Sequence, residues 1–340
     1  MKAKVAVVIL NWNGKSFLEK FLPSLINYTD DDVEIIIADN ASTDDSIAFL
    51  RSSYPALRII ENESNGGFSK GYNDALVQTD ADYYVLLNSD IEVTEAWIRP
   101  VIELMESDKM IAVCQPKLLS WNERHKFEYA GAAGGFVDKW GYPFCRGRIF
   151  MSTETDNGQY DDACEIFWAT GACMFIRADI YRNFGGLDND FFAHMEEIDF
   201  CWRLKNAGYK IMYTPLSKVY HIGGGTLPQS SSFKTYLNFR NNFILLFKNL
   251  PSNQLIPVIT VRLLLDGIAG IKFLVSGYPG DCFAVIKAHF SFYTSFGKTW
   301  KKRKDIQQRK VSCMYEGSIV YEHFFNKTDI FSKLKSEKFT

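Results

Sequence analysis

The sequence predicts an α/β protein: a mostly parallel sheet flanked by helices, followed by a C-terminal helical appendage. Three observations carry this. Short β-branched runs alternate with amphipathic stretches of helical period over about the first 90 residues. Each run stops in a cluster of Asn, Asp and Ser. Beyond about residue 232 the composition turns to long apolar helices that end in a basic cluster.

Val5-Ala6-Val7-Val8-Ile9-Leu10 is too short for a helix and apolar on both faces, as central parallel strands are, and Asn11-Trp12-Asn13-Gly14 ends it. A helix is expected over about 15–28, with Phe17, Leu18, Phe21, Leu22 and Leu25 on one face. Val33 to Ala38 repeats the buried-strand pattern and stops in Asp39-Asn40-Ala41-Ser42-Thr43-Asp44-Asp45, where Ser42 or Thr43 can cap a helix over 46–53. Leu57 to Ile60 forms a third strand. After Asn65-Gly66-Gly67 a helix is expected over about 68–78, and the strand Tyr83 to Leu87 ends in Asn88-Ser89-Asp90. This spacing makes right-handed βαβ units, so Asn11, Asp39, Asn65 and Asp90 share the sheet edge where open α/β folds collect ligands. Alone, Asn-x-Asp after a strand is an ordinary turn. Its two side chains nevertheless leave one face of an extended chain and offer oxygens to a hard cation or a sugar hydroxyl.

Two short strands follow, Ile111 to Cys114 and Lys117 to Leu119, and then residues 120–165, whose scattered glycines predict a long functional loop or lid. Gly171 to Ile176 is another buried strand. Past the turn Gly185-Gly186-Leu187-Asp188, the segment from Phe191 opens a helix ending near Gly208, on which Asp199 and Arg203 form a structural i, i+4 pair. Glu196 and Glu197 stand at its start, where the macrodipole favours acids whatever their function. Lys210 to Tyr213 and Ser217 to His221 are two further strands, with His221 at the lip of a glycine loop. Residues 1–230 are expected to form an α/β domain and 231–340 an amphipathic helical region with a basic cluster.

In that second region a helix over 236–249 carries Arg240, Asn241 and Asn242. Residues 254–275 are apolar but interrupted by Arg262, Asp266 and Lys272, whereas a membrane span needs about 20 predominantly apolar residues. An amphipathic stretch over 282–296 leads into Lys298-Thr299-Trp300-Lys301-Lys302-Arg303-Lys304. That pattern fits either a peripheral membrane contact or an appendage packed on the core with a solvated basic end. The tail past Phe325 reads as loosely ordered. The 38 basic and 40 acidic residues leave a net charge of -2, which selects no nucleic acid partner. Seven cysteines without a Cys-x-x-Cys, and an N-terminus that enters a strand directly, predict reduced thiols and a cytoplasmic protein without a signal peptide.

These pieces resemble the family-2 glycosyltransferases, inverting nucleotide-sugar enzymes of the GT-A fold, and bacterial rhamnosyltransferase-like members in particular. The resemblance covers residues 4–249 and rests on six stretches in order: 8–14, 38–45, Asn65-Gly66-Gly67-Phe68 with Asn73, 86–90, 195–203 and 219–226. It implies that Asp39 binds the nucleobase, with Asn11 nearby and Asp44 or Asn65 along the nucleoside. It implies that Asn88 and Asp90 form the Asp-x-Asp element that binds Mn²⁺ or Mg²⁺ on the diphosphate, and that His221 is a metal ligand. Asn88 stands where that element has Asp, which throws weight on His221, and a nitrogen ligand favours Mn²⁺. Glu197 matches the catalytic base, with Glu196 as its alternative. The expected partners are a nucleotide-sugar donor, a glycan or lipid-linked acceptor and the inner-membrane surface. A degenerate carbohydrate-binding or assembly module and a sugar nucleotidyltransferase are the competing readings. The second would need a glycine-rich basic loop after the first strand, and Asn11 to Lys15 supplies little of it.

Overall fold

A computed structural model describes residues 4–223 and 231–340. Its first half follows the predicted alternation: β1 (Val5–Asn11), α1 (Lys15–Asn27), β2 (Glu34–Asp39), α2 (Ser46–Ser53), β3 (Arg58–Glu61), α3 (Gly67–Leu76) and β4 (Tyr83–Asn88). The four strands run parallel in the order β3-β2-β1-β4. Successive residues of β1 enter opposite cores, which explains a run apolar at every position. Val5, Val7 and Ile9 pack with Leu18, Leu22 and Leu25 of α1, while Ala6 and Val8 pack with Tyr72, Ala75 and Leu76 of α3.

The chain continues through β5 (Ile91–Val93), α4 (Arg99–Ser107), β6 (Ile111–Ser120), β7 (Gly135–Asp138), β8 (Pro143–Cys145), β9 (Arg148–Ile149), β10 (Ser152–Thr153), β11 (Cys164–Ile166), β12 (Cys173–Arg177) and α5 (Ala178–Asn183). Then come α6 (Glu196–Asn206), β13 (Lys210–His221), α7 (Ser232–Asn249), α8 (Ser252–Val275), α9 (Pro279–Thr294), α10 (Phe296–Lys304), β14 (Met314–Tyr315) and α11 (Ile319–Phe324). The main sheet has the order β11-β13-β6-β12-β4-β1-β2-β3, with β5 on β13. Its second half is mixed: β6 and β13 are parallel, β12 runs antiparallel to both of its neighbours, and β11 and β5 run antiparallel to β13.

Two of the expected breaks prove to be irregularities inside longer strands. β6 and β13 each run as one strand, and their ladder slips between Thr214 and Lys218, beside Pro116, which lacks an N–H for the ladder. Sequence periodicity also passes over β5 and α4, whose buried stripe is only Val101 and Met105.

Residues 120–165 are not a lid. They supply four strands of a second sheet, β10-β9-β8-β7-β14, whose fifth strand comes from the tail, with Phe136, Val137, Phe144, Cys145 and Ile149 buried. Strands of two to four residues carry no readable period, and the glycines serve close packing. At Gly147, φ is 107° and an added Cβ would stand 2.8 Å from the Phe127 ring. The tail closes over this sheet: β14 pairs with β7, and the rings of Phe331 and Phe339 lie 5.0 and 5.4 Å from that of Phe136. Ile319 N donates to Asp138 Oδ2 at 2.8 Å.

Deleting residues 311–340 should therefore cost roughly 3 kcal/mol or more, as removal of packed aromatic rings does. Calorimetry of the truncated chain is the measurement, and melting together with the full chain would show that the tail is no part of the core.

Candidate active site

The parallel half of the sheet sets the first group of polar side chains. Register places Asn11 opposite Asp39 and Leu10 opposite Asn88 at the carboxyl ends of the strands. Asn11 Nδ2 donates to Asp39 Oδ1 at 2.9 Å and to Ser42 Oγ at 3.2 Å, and Ser42 donates to Asp39 through N at 2.8 Å and Oγ at 2.6 Å. Asp39 is thereby held rigidly at the sheet edge, and Asn11 Oδ1 is left without a partner. Asn65 Oδ1 accepts from Asn40 Nδ2 and Gly67 N, both at 2.9 Å, and so shapes the turn into α3. Asp44 accepts from Lys15 N at 3.1 Å and Ser46 N at 3.0 Å, tying the starts of α1 and α2 together. Burial pushes its carboxyl up, but the bonds from Ser46 and Lys15 outweigh burial and hold it below its ordinary value.

The second group forms where β5 pairs with β13. That register sets Ile91 opposite His221, so Asp90, at the turn after β4, meets a histidine 131 residues away. Asp90 Oδ1 lies 3.1 Å from His221 Nε2, with the two residues 6% and 5% exposed. Behind the ring, buried Glu128 places Oε1 3.4 Å from Nδ1, close enough for ionic attraction but without hydrogen-bond geometry. Burial lowers the imidazole pKa, but the carboxylates of Glu128 and Asp90 more than reverse this, taking it up to about 10. Against burial, His221 holds Asp90 down in turn.

Once a cation displaces the His221 proton from Nε2, this pair of one nitrogen and one carboxylate oxygen fits a borderline divalent ion such as Mn²⁺. Two ligands bound side by side at about 2.1 Å stand about 3 Å apart, the separation seen here. Among the described residues no group of three or more His, Cys, Asp or Glu side chains is arranged around one point, so substrate oxygens and water would complete the shell. Asn88 stands at the end of β4, partly exposed, with its N–H donating to Ala172 O at 2.9 Å. Glu128 escaped the sequence reading because it lies in the stretch without periodicity. Gly224, Gly225 and Thr226 of the predicted glycine loop lie outside the described residues.

The third group is delivered by a loop. A 3₁₀ turn over Asn189–Phe191 leads into Phe192, His194 and Met195, three non-glycine residues with φ of 61°, 69° and 73°. Glu196 and Glu197 then open α6. Gly67 is where this loop rests on the start of α3: Phe68 N donates to Phe192 O at 2.6 Å, and a Cβ at Gly67, whose φ is 78°, would stand 2.4 Å from that oxygen. The loop that leads into the glutamates is thus fastened to the start of α3, next to the Asn65 turn. Each has a buried Oε2 without a partner. Burial first, then the neighbouring Glu197, pushes Glu196 far above the carboxylate range, while burial takes the more open Glu197 to about 7. At neutral pH Glu196 keeps its proton, and Glu197 is the one able to accept one. On the same helix Arg203 Nε donates to Asp199 Oδ2 at 2.9 Å, the expected structural pair.

The family model described as Glycosyl transferase family 2 matches residues 6–185. The chain is similar to the N-acetylglucosaminyl-diphospho-decaprenol L-rhamnosyltransferase of Mycobacterium tuberculosis, 24% identical over 233 residues that cover 63% of this chain and 75% of the relative. It is also similar to rhamnosyltransferase WbbL of Escherichia coli, 25% identical over 228 residues covering 64% and 83%. In fold it is similar to the mannosyltransferase PcManGT from Pyrobaculum calidifontis in complex with GDP-Man and Mn²⁺, with a TM-score of 0.52, 12% identity and coverage of 96% and 89%. GalNAc-T7 with UDP, GalNAc and Mn²⁺ superposes with a TM-score of 0.59 at 17% identity over 74% of this chain, which spans about half, 48%, of that one.

The Glu197 carboxyl has a linkage consequence. Its value in the folded protein, about 7, lies above the ordinary 4.5, so between those values the folded state holds the proton more tightly than the unfolded state. Its contribution to stability is full below the lower value and is lost as pH rises through the upper one. Glu197→Gln should therefore melt with the native protein at about pH 5 and above it at about pH 8. Thermal scans at the two pH values check this, and a variant that is less stable at the higher pH would show the carboxylate to be paired.

Proposed function

Since the chain belongs to glycosyl transferase family 2 and has the GT-A fold, we propose that this glycosyltransferase is a metal-dependent inverting enzyme. It moves a sugar, a hexose or deoxyhexose, from a nucleoside diphosphate to a glycan or lipid-linked acceptor in the assembly of a cell-surface polysaccharide. The observation that carries this is Glu197 at the start of α6, a carboxylate with a buried, unpartnered oxygen and a pKa raised to about 7, which follows a loop that rests through Phe192 on the start of α3. A sugar hydroxyl is a weak nucleophile and must lose its proton as it attacks the anomeric carbon, so one carboxylate of this strength suffices for a single displacement. Glu196, protonated beside it, serves as its neighbour rather than as the base.

Asp39, with Asn11 beside it, would receive the nucleobase, and Asn65 would line the nucleoside. Asp44 fastens two helix starts, so its part is to hold the shape of that pocket. Asp90 and His221 would hold Mn²⁺ or Mg²⁺, whose charge would neutralise the departing diphosphate, and Asn88 would face the same phosphates. Resemblance to the rhamnosyltransferases of Mycobacterium tuberculosis and Escherichia coli supports a deoxyhexose donor. Asn88 in place of a carboxylate favours a second reading, a degenerate carbohydrate-binding or assembly module. Release of nucleoside diphosphate from UDP-, GDP- and dTDP-sugars, with and without Mn²⁺, separates the two. On the active donor, Glu197→Gln should lower turnover by about 10²-fold while donor binding holds; near-normal turnover would remove Glu197 from the role.

The enzyme is proposed to work at the cytoplasmic face of the membrane, with residues 1–230 performing the chemistry and 231–340 supplying the contact. No helix among the described residues is long and apolar enough to cross a membrane. α8 and α9 nevertheless expose Leu264, Ile268, Ile271, Val275, Phe283 and Phe290, each at least 63% open to solvent. Trp300 and the exposed Lys301 and Lys304 of α10 follow in the chain, a pairing of apolar ridge and basic groups that suits anionic lipid. Replacing Leu264, Ile268 and Ile271 by Glu should weaken sedimentation with phosphatidylglycerol vesicles about tenfold or more while leaving the fold intact. Unchanged sedimentation would refute the contact.

A further inference from the structure

The loop that presents Glu197 does not hold its own shape. Phe192, His194 and Met195 occupy left-handed backbone conformations that side chains rarely adopt. Such clusters persist only where the surroundings over-determine them, and they gather at functional sites. Phe192 O is held from the start of α3 by Phe68 N at 2.6 Å, and the carbonyls on either side of it are gathered by one side chain. Asn241 of α7, fully buried, points Nδ2 at three loop carbonyls: Phe191 O at 2.9 Å, Ala193 O at 2.9 Å and His194 O at 2.7 Å. An amide carries two N–H bonds, so three acceptors around it exhaust its capacity. Its orientation is set by its neighbour. Arg240 Nε donates to Asn241 Oδ1 at 2.8 Å, which turns the amide nitrogen toward the loop, and Arg240 Nη2 donates to Asp190 O at 2.6 Å and Phe191 O at 3.2 Å.

We infer that Asn241, oriented by Arg240, is the positioning residue of the catalytic loop: it clamps the backbone through which Glu197 meets the acceptor hydroxyl. This rests on the reading of Glu197 as base. The C-terminal helices thus take part in the chemistry without touching substrate. Among the described residues no other side chain donates to all three of these carbonyls. A base displaced by a fraction of an ångström loses its reach to the hydroxyl while the nucleotide pocket, built on β1 and β2, stays as it is.

The test compares Asn241→Leu, which keeps the volume and removes the donors, with Phe243→Leu, two residues along α7, whose ring packs on His289 and Phe292. Amide hydrogen exchange over residues 192–197 is read on the free protein. UDP with Mn²⁺ is the binding probe, and kcat and KM are measured on the active donor of the panel. Asn241→Leu is expected to exchange about tenfold faster in that segment and to lose about tenfold or more in kcat, with KM for the donor and UDP affinity unchanged. Phe243→Leu should lower Tm alone. If Asn241→Leu fails to fold, Arg240→Ala, which frees the amide to turn, should show the same split to a smaller degree. Unchanged kcat in a folded Asn241→Leu, or a parallel loss in Phe243→Leu, overturns the inference. Retained turnover in Glu197→Gln overturns instead the assignment of the base.

Discussion

Strand register is the constraint on which the rest of the molecule depends. In β3-β2-β1-β4 it places Asn11 against Asp39 and brings Asn88 to the same edge. In the β5–β13 pair it brings His221 to Asp90. A slip of one residue in either ladder would turn these side chains to the opposite face. Both faces of β1 are buried, Val5, Val7 and Ile9 in one apolar core and the smaller pair Ala6 and Val8 in the other, so a slip would exchange side chains between cores packed to different volumes.

A second physical theme is charge kept out of water without full compensation. Glu196 and Glu197 retain buried oxygens with no partner, and His221 lies between two carboxylates. Desolvation of this kind disfavours the ionised acid and costs stability, so it persists where chemistry needs a proton acceptor near neutrality. The contrast on α6 is informative. Asp199, three residues past Glu196, is as deeply buried, yet it is satisfied by Arg203, Lys248 and Asn249 at 2.9 Å each. One helix thus carries a fully paired carboxylate that anchors it and two whose buried Oε2 atoms have no partner.

The C-terminal region is bound into this arrangement. Lys248 of α7 bridges Asp188 and Asp199, and Lys302 and Lys298 of α10 reach Asp188 and Asp190 at the start of the loop. Arg240 and Asn241 hold the loop's middle. The helices that expose an apolar ridge are therefore continuous, through α7, with the backbone that positions the glutamates. Helices α7 and α10 and the loop before α6 are thus joined by ion pairs and side-chain hydrogen bonds.

Much of this was legible in the order of residues. Buried strands and amphipathic helices write their period directly into the chain, so β1 to β4 with their helices, the polar tips Asn11, Asp39, Asn65 and Asp90, and the paired glutamates before α6 could all be read by eye. Residues 120–165 and the tail could not, because strands of two to four residues and rings packed across 190 positions leave no local pattern; what looked like a lid and a loose end form a second core. Glu128 and Asn241 were invisible for the same reason. By itself the sequence determined the α/β plan and which side chains stand at strand ends, since periodicity and turn chemistry act over a few residues. Only the tertiary structure decided that His221 faces Asp90, that Glu128 stands behind it and that Asn241 holds the glutamate loop, because contacts between residues about 50 to 130 apart come from packing and register.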